Sequence, residues 1–212
     1  MTPSPVSAPD DTSALWLATL QRAVGRASHD VKDAINGVSV NLEVVRSRAA
    51  RPDAPASAVS AFAEAAAQQL ERLTTLIEAV LALGRPERER ADVAVTLRRV
   101  VVICGASSSA VDAAVELAEE QDDTSTVTSV RDELVRLALT APLLEAVAGA
   151  GESSRASTVR CTLGADDDAV LVTMRAEGRR ITMPEPLQET MRGAGIRWDD
   201  AGHDLSLAFP RA

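Results

Sequence analysis

The chain has 212 residues, 46% hydrophobic and 25% charged, enough for one large or two small domains with real cores and unlike a disordered or fibrous composition. A net charge of −9 excludes nucleic acid and anionic membrane as main ligands, because phosphate surfaces demand a basic face. Aromatic residues make up only 2%, so Ala, Val and Leu must fill the interior, which favours close helical packing over an aromatic-rich sandwich.

Residues 1–12 begin Met1-Thr2-Pro3-Ser4-Pro5 and read as a flexible leader; they lack the charged segment and apolar stretch of a secretory signal. No apolar run reaches the length of a membrane span, so a cytoplasmic protein without a membrane partner is expected. From about Ser13 to Arg48 the pattern is helical. Val24, Val31, Val38 and Val45 recur every seven residues, with Leu20, Ala27, Ala34 and Asn41 or Leu42 filling a second seam position. A second helix is expected from about Ala56 to Leu83. Val59, Ala66, Leu73 and Val80 form one row there, and Phe62, Gln69, Leu76 and Leu83 the other. Between them Arg51-Pro52-Asp53-Ala54-Pro55 breaks the helix and turns the chain. Residues 13–84 therefore predict an antiparallel helical hairpin with arms of about 40 Å at a rise of roughly 1.5 Å per residue. Two helices cannot enclose such a seam alone, so pairing of two hairpins into a four-helix bundle, a homodimer, is expected, with Gln69 a candidate for setting its register.

His29 opens the tetrapeptide His29-Asp30-Val31-Lys32 within the first helix. A neutral imidazole nitrogen is a good nucleophile, and an adjacent carboxylate fixes its tautomer, so this pair can carry a phosphoryl group. With Val24 and Val31 in the seam, His29 falls about 200° away at 100° per residue and should project outward, on the same face as Lys32, Asp33 and Asn36.

Residues 85–91 form a charged linker into a second region, 92–212. Helices are expected from Asp92 to about Cys104, from Arg131 to Val147 and from Leu187 to Arg192. Val115-Glu116-Leu117 and Thr126-Val127-Thr128 read as short strands. Thr158 to Leu163 pairs with Ala169 to Arg175, and Ile196-Arg197-Trp198 with Leu205 to Phe209. Cys104 and Cys161 lack metal-type spacing and read as buried reduced thiols. Gly149, Gly151, Gly193 and Gly195 precede no Lys-Ser/Thr and read as turns and helix ends rather than a phosphate loop. Asp166-Asp167-Asp168 reads as a hairpin tip rather than a cation site, and His203 lies in a polar turn.

The segment Ala27-Ser28-His29-Asp30-Val31-Lys32-Asp33-Ala34-Ile35-Asn36-Gly37 resembles the H-box of bacterial sensor histidine kinases, found in their dimerisation and histidine-phosphotransfer domain. His29, Asp30, Val31 and Lys32 match; Asp33 and Ala34 stand where the family commonly has asparagine or threonine and then proline. The order of elements after the hairpin resembles that family's ATP-binding domain. The implied architecture is α+β: an antiparallel hairpin forming a dimeric four-helix bundle, followed by a degenerate ATPase-like α/β sandwich domain. By resemblance His29 is the phosphoacceptor and Asp30 the group that polarises it. Response-regulator receiver domains are the implied partners, docking on Arg22, Arg26, Lys32, Asp33 and Asn36 and bringing their own Mg²⁺. A carboxylate at Asp33 is expected to repel acyl phosphate and leave little phosphatase activity. The nucleotide motifs are missing. The helix that should bear asparagine offers Thr140, Ala141, Pro142 and Leu144. The adenine-reading strand end is Arg175-Ala176-Glu177-Gly178, and Met183-Pro184-Glu185-Pro186 is too short for a lid. The chain is thus expected to bind no ATP, cofactor or metal of its own. It should act as a phosphotransferase between receivers or, alternatively, as a non-catalytic pseudokinase scaffold that modulates a receiver or kinase.

Overall fold

The computed structural model describes residues 11–51, 55–85, 90–105, 114–119, 125–148, 158–200 and 202–212. Most of the expected leader, the centre of the inter-helix turn, residues 86–89 of the linker, and Gly149 and Gly151 lie outside these. The architecture is α+β: a long helical hairpin followed by a mixed five-stranded sheet with helices against one face.

Helix α1 spans Asp11–Ala49 and α2 Ser57–Gly84, each starting or ending within a few residues of where the apolar periodicity places it. Their mutual seam includes Gly37, whose bare backbone accommodates the Gln69 amide; a Cβ there would lie 2.2 Å from Gln69 Oε1. The side chains of the hairpin divide into two sets, and the expected seam residues Ala27 and Val24 fall on opposite sides of that division. Ala23 and Ala27 are buried together with Thr19 and Asp30, whereas Leu17, Val24, Ile35 and Leu42 of α1 and Leu70, Ile77 and Leu81 of α2 are exposed. The reason is that α1 packs on more than α2: it also touches α3 and α4 of the following region, and that face is rich in small residues that let helices approach.

Strand β1 (Ala91–Asp92) pairs antiparallel with β3 (Val127–Thr128) in a two-stranded ribbon that the sequence did not announce on the β1 side. Asp92 then caps α3 (Val93–Gly105): its Oδ1 accepts from the Val95 N–H at 3.1 Å and from the Thr126 hydroxyl at 2.7 Å. The main sheet runs β2-β4-β5-β7-β6, with β2 (Ala114–Glu119) parallel to β4 (Thr158–Ala165). Strands β5 (Ala169–Ala176), β7 (Asp204–Pro210) and β6 (Arg197–Asp199) continue it antiparallel. Register puts Cys161, Met174 and Leu205 in one buried row and Leu163, Val172 and Leu207 in the next. Alternation sends Arg160, Leu171, Arg175 and Ser206 to the opposite, exposed face. The β4–β5 turn is a hairpin tip in which Asp166 Oδ1 accepts from the N–H groups of Ala169 and Asp168. Those bonds hold its carboxyl below the usual range.

Helix α4 (Asp132–Ala148) is the centre of the molecule. From Leu134 to Val147 every residue except Glu145 is buried, because α4 lies within the shared core with α1, α3 and α5 (Glu185–Gly193) packed against it. Arg136 pins it to the hairpin. Its guanidinium donates to the carbonyls of Leu83 (2.5 Å) and Arg85 (2.7 Å) at the end of α2, pairs with the Asp132 carboxylate, and lies 5.7 Å from the Trp16 ring of α1. Helix α5 (Glu185–Gly193) starts directly after Pro184 and packs Leu187 and Met191 inward.

Candidate functional site

The site is a strip of α1 between a buried face and an exposed apolar row. At 100° per residue, Asp30, Ala23 and Ala27 lie about 100–160° to one side of His29, towards α2 and the second region. The exposed apolar row Leu17, Val24, Ile35 and Leu42 lies about 120–140° to the other side. His29 between them has a side chain 72% exposed. Its Nδ1 is 3.1 Å from Asp33 Oδ2, one helical turn on, and 4.0 Å from Asp30 Oδ1. Both carboxylates expected near the ring are there, but they sit differently. Asp30 is turned inward with 6% of its side chain exposed, whereas Asp33 stands beside the ring in solvent at 61%.

The remaining expected residues do not form one free patch. Lys32 and Asn36 are exposed on the His29 side of the helix. Arg22 reaches across to α4, with Nη1 3.7 Å from Glu145 Oε1. Arg26 is half-buried; its Nε and Nη2 are covered and have no hydrogen-bond partner among the described residues. Its charge is felt at Cys104, whose thiol burial pushes up to about 12 while Arg26 draws it partly back. Val40 was not anticipated. It is 64% exposed and lies about 20° from His29, three turns or roughly 16 Å along the helix. Its signal in the sequence is an apolar side chain at i+11 on an otherwise polar face.

Thr140, Ala141, Pro142 and Leu144 are all buried in α4. Near the end of β5, Arg175 pairs with Asp204 of β7, its Nε 2.9 Å from Oδ1, which raises the guanidinium pKa and lowers the carboxyl. Arg179 donates to the Ala146 carbonyl at 2.9 Å, bridging the strand end to the last turn of α4. Among the described residues no group of His, Cys, Asp and Glu is arranged to hold a metal ion, and no helix is long and apolar enough to cross a membrane. His203 is exposed, lining an open cleft of about 710 Å³ with Glu177, Asp199 and the Arg175–Asp204 pair, far along the chain from His29.

No protein-family model and no curated protein matches the chain. Among solved structures it is similar to the histidine kinase ThkA, determined in complex with the response regulator protein TrrA, at 13% identity and a TM-score of 0.42, over 92% of this chain and 63% of that one. It therefore spans less than two thirds of that kinase's length. It is also similar to a bacterial phosphotransferase (16% identity, TM-score 0.41, 96% of this chain and 98% of the other). A third is the Acinetobacter baumannii histidine kinase AdeS (15%, TM-score 0.38, 86% and 97%).

Proposed function

We propose that the chain is a histidine phosphotransfer protein of a two-component phosphorelay. His29 takes a phosphoryl group from the aspartyl-phosphate of one receiver domain and returns it to the aspartate of another. The observation that carries this reading is the exposed imidazole of His29, on a strip of α1 that lies outside its buried face, set in a segment that resembles the H-box. The chemistry is in-line displacement at phosphorus. The chain supplies the nucleophile and the carboxylates Asp30 and Asp33 beside it, and the receiver supplies its aspartate and Mg²⁺. Lys32, Asn36 and Val40 line the docking strip, with Arg22 at its upper edge.

Two further parts belong to the same reading. The exposed rows Leu17, Val24, Ile35, Leu42 and Leu70, Ile77, Leu81 are spaced largely by seven and favour a homodimer through a four-helix bundle. Such pairing leaves His29 on the outer side. The burial of α4 outside Glu145 and the Arg179 bridge favour a chain that binds no ATP and works on receivers charged elsewhere. Incubating the protein with receivers phosphorylated by acetyl phosphate tests the proposal. Acid-labile, base-stable phosphate should appear on wild type and be absent from His29→Ala. Its absence from wild type across all receivers of the source organism would favour the non-catalytic scaffold instead.

A further inference from the structure

We infer that Asp33, rather than the sequence neighbour Asp30, is the positioning residue that sets the tautomer of His29 and so selects Nε2 as the nitrogen that takes the phosphoryl group; this rests on the relay reading. Three observations lead there. Asp33 Oδ2 is 3.1 Å from Nδ1, within reach of a shared proton, whereas Asp30 Oδ1 is 4.0 Å away, beyond it. Asp30 is also turned away from the ring: its side chain is buried on the same side of α1 as Ala23 and Ala27. Asp33 is one turn from His29 on the same exposed side, the spacing at which helical side chains meet.

The hydrogen bond made by one imidazole nitrogen decides which nitrogen is protonated. With the proton on Nδ1 and shared with Asp33, the lone pair resides on Nε2. That lone pair attacks phosphorus as the bond from phosphorus to the receiver's aspartyl oxygen breaks, and the aspartate leaves as a carboxylate. No proton is released. The ring retains its Nδ1–H and acquires positive charge, which the Asp33 carboxylate neutralises from the side opposite the incoming phosphoryl group. The return step is the same displacement reversed. A carboxylate at this position is therefore compatible with phosphotransfer, because Asp33 faces Nδ1 and not the phosphorus.

Long-range ¹H–¹⁵N correlation of the full-length protein reads the tautomer directly, without any receiver. Wild-type His29 should show a protonated Nδ1 and an unprotonated Nε2. Asp33→Ala should convert this to a tautomer mixture, Asp33→Asn, which keeps an acceptor oxygen, should hold the tautomer largely in place, and Asp30→Asn should leave it unchanged. Phosphoramidate, a small donor that phosphorylates histidine chemically, supplies the second reading. Wild type should be labelled at Nε2, with the rate falling about tenfold in Asp33→Ala and less in Asp33→Asn, a modest factor because the pair is solvent-exposed. An unchanged tautomer in Asp33→Ala, a shift in Asp30→Asn alone, or labelling at Nδ1 in wild type overturns the assignment. If the tautomer follows Asp33 and phosphoramidate labels Nε2, yet no receiver exchanges phosphate with the protein, the relay reading falls while the assignment stands.

Discussion

Both cysteines are buried free thiols, and burial pushes each to about 12 from an ordinary value of 9.0. Because the folded values lie above the unfolded ones, their contribution to stability is complete below pH 9 and is lost as pH rises from 9 towards 12. By pH 10 the loss is on the order of 1 kcal/mol per thiol. The chain has no tyrosine and Lys32 is its one lysine, so few other groups titrate in that window. Urea unfolding at pH 8 and pH 10 should show the drop in wild type and a flatter profile in Cys104→Ala/Cys161→Ala. Thr140 offers a second residue-level test. Its hydroxyl is buried in α4 with no hydrogen-bond partner among the described residues. An isosteric Thr140→Val substitution removes an uncompensated polar group and should stabilise the protein by about 1 kcal/mol in the same assay.

At the scale of elements, the joint between α2 and α4 depends on one arginine. Arg136 meets two carbonyls at the end of α2 and the buried carboxylate of Asp132. Arg136→Met strands that carboxylate and both carbonyls, and should cost about 3–5 kcal/mol. Replacing both partners with apolar residues, Asp132→Leu/Arg136→Met, should recover most of the loss. Denaturation midpoints of the three proteins check this, and a double variant as unstable as the single one would contradict it. Helix periodicity made the hairpin legible almost to its ends, and alternation did the same for β4, β5 and β7, because each of these elements has one buried face. It could not reveal β1, two residues long, whose pairing depends on β3 more than thirty residues away. Nor could it apportion the faces of α1. A seven-residue row of valines looks the same whether it meets α2, a second copy or the following region, and Ala23 and Ala27 mark the docking face only once α4 is in place. The valine row alone points His29 outward, and Asp30, 100° round the helix, turns inward only because further elements pack on that side of α1.

For the whole molecule, the account requires an assembly that covers the apolar rows and leaves His29 open. Each fully buried Leu or Ile contributes roughly 1.5–3 kcal/mol, so the seven side chains of each hairpin suffice for a stable dimer. Light scattering should give the mass of two chains for wild type and one for Ile35→Asp/Ile77→Asp, substitutions at exposed positions that leave each hairpin's own seam intact. On the proposed reading, the second region packs against α1 through α3 and α4 and leaves Lys32, Asn36 and Val40 exposed for a visiting receiver. The central claim is that phosphate passes through His29, and the most direct measurement is phosphate transfer from acetyl-phosphate-charged receivers to the full-length protein and on to a second receiver. Transfer in wild type that disappears in His29→Ala is the predicted result; equal transfer by the two proteins would contradict the account.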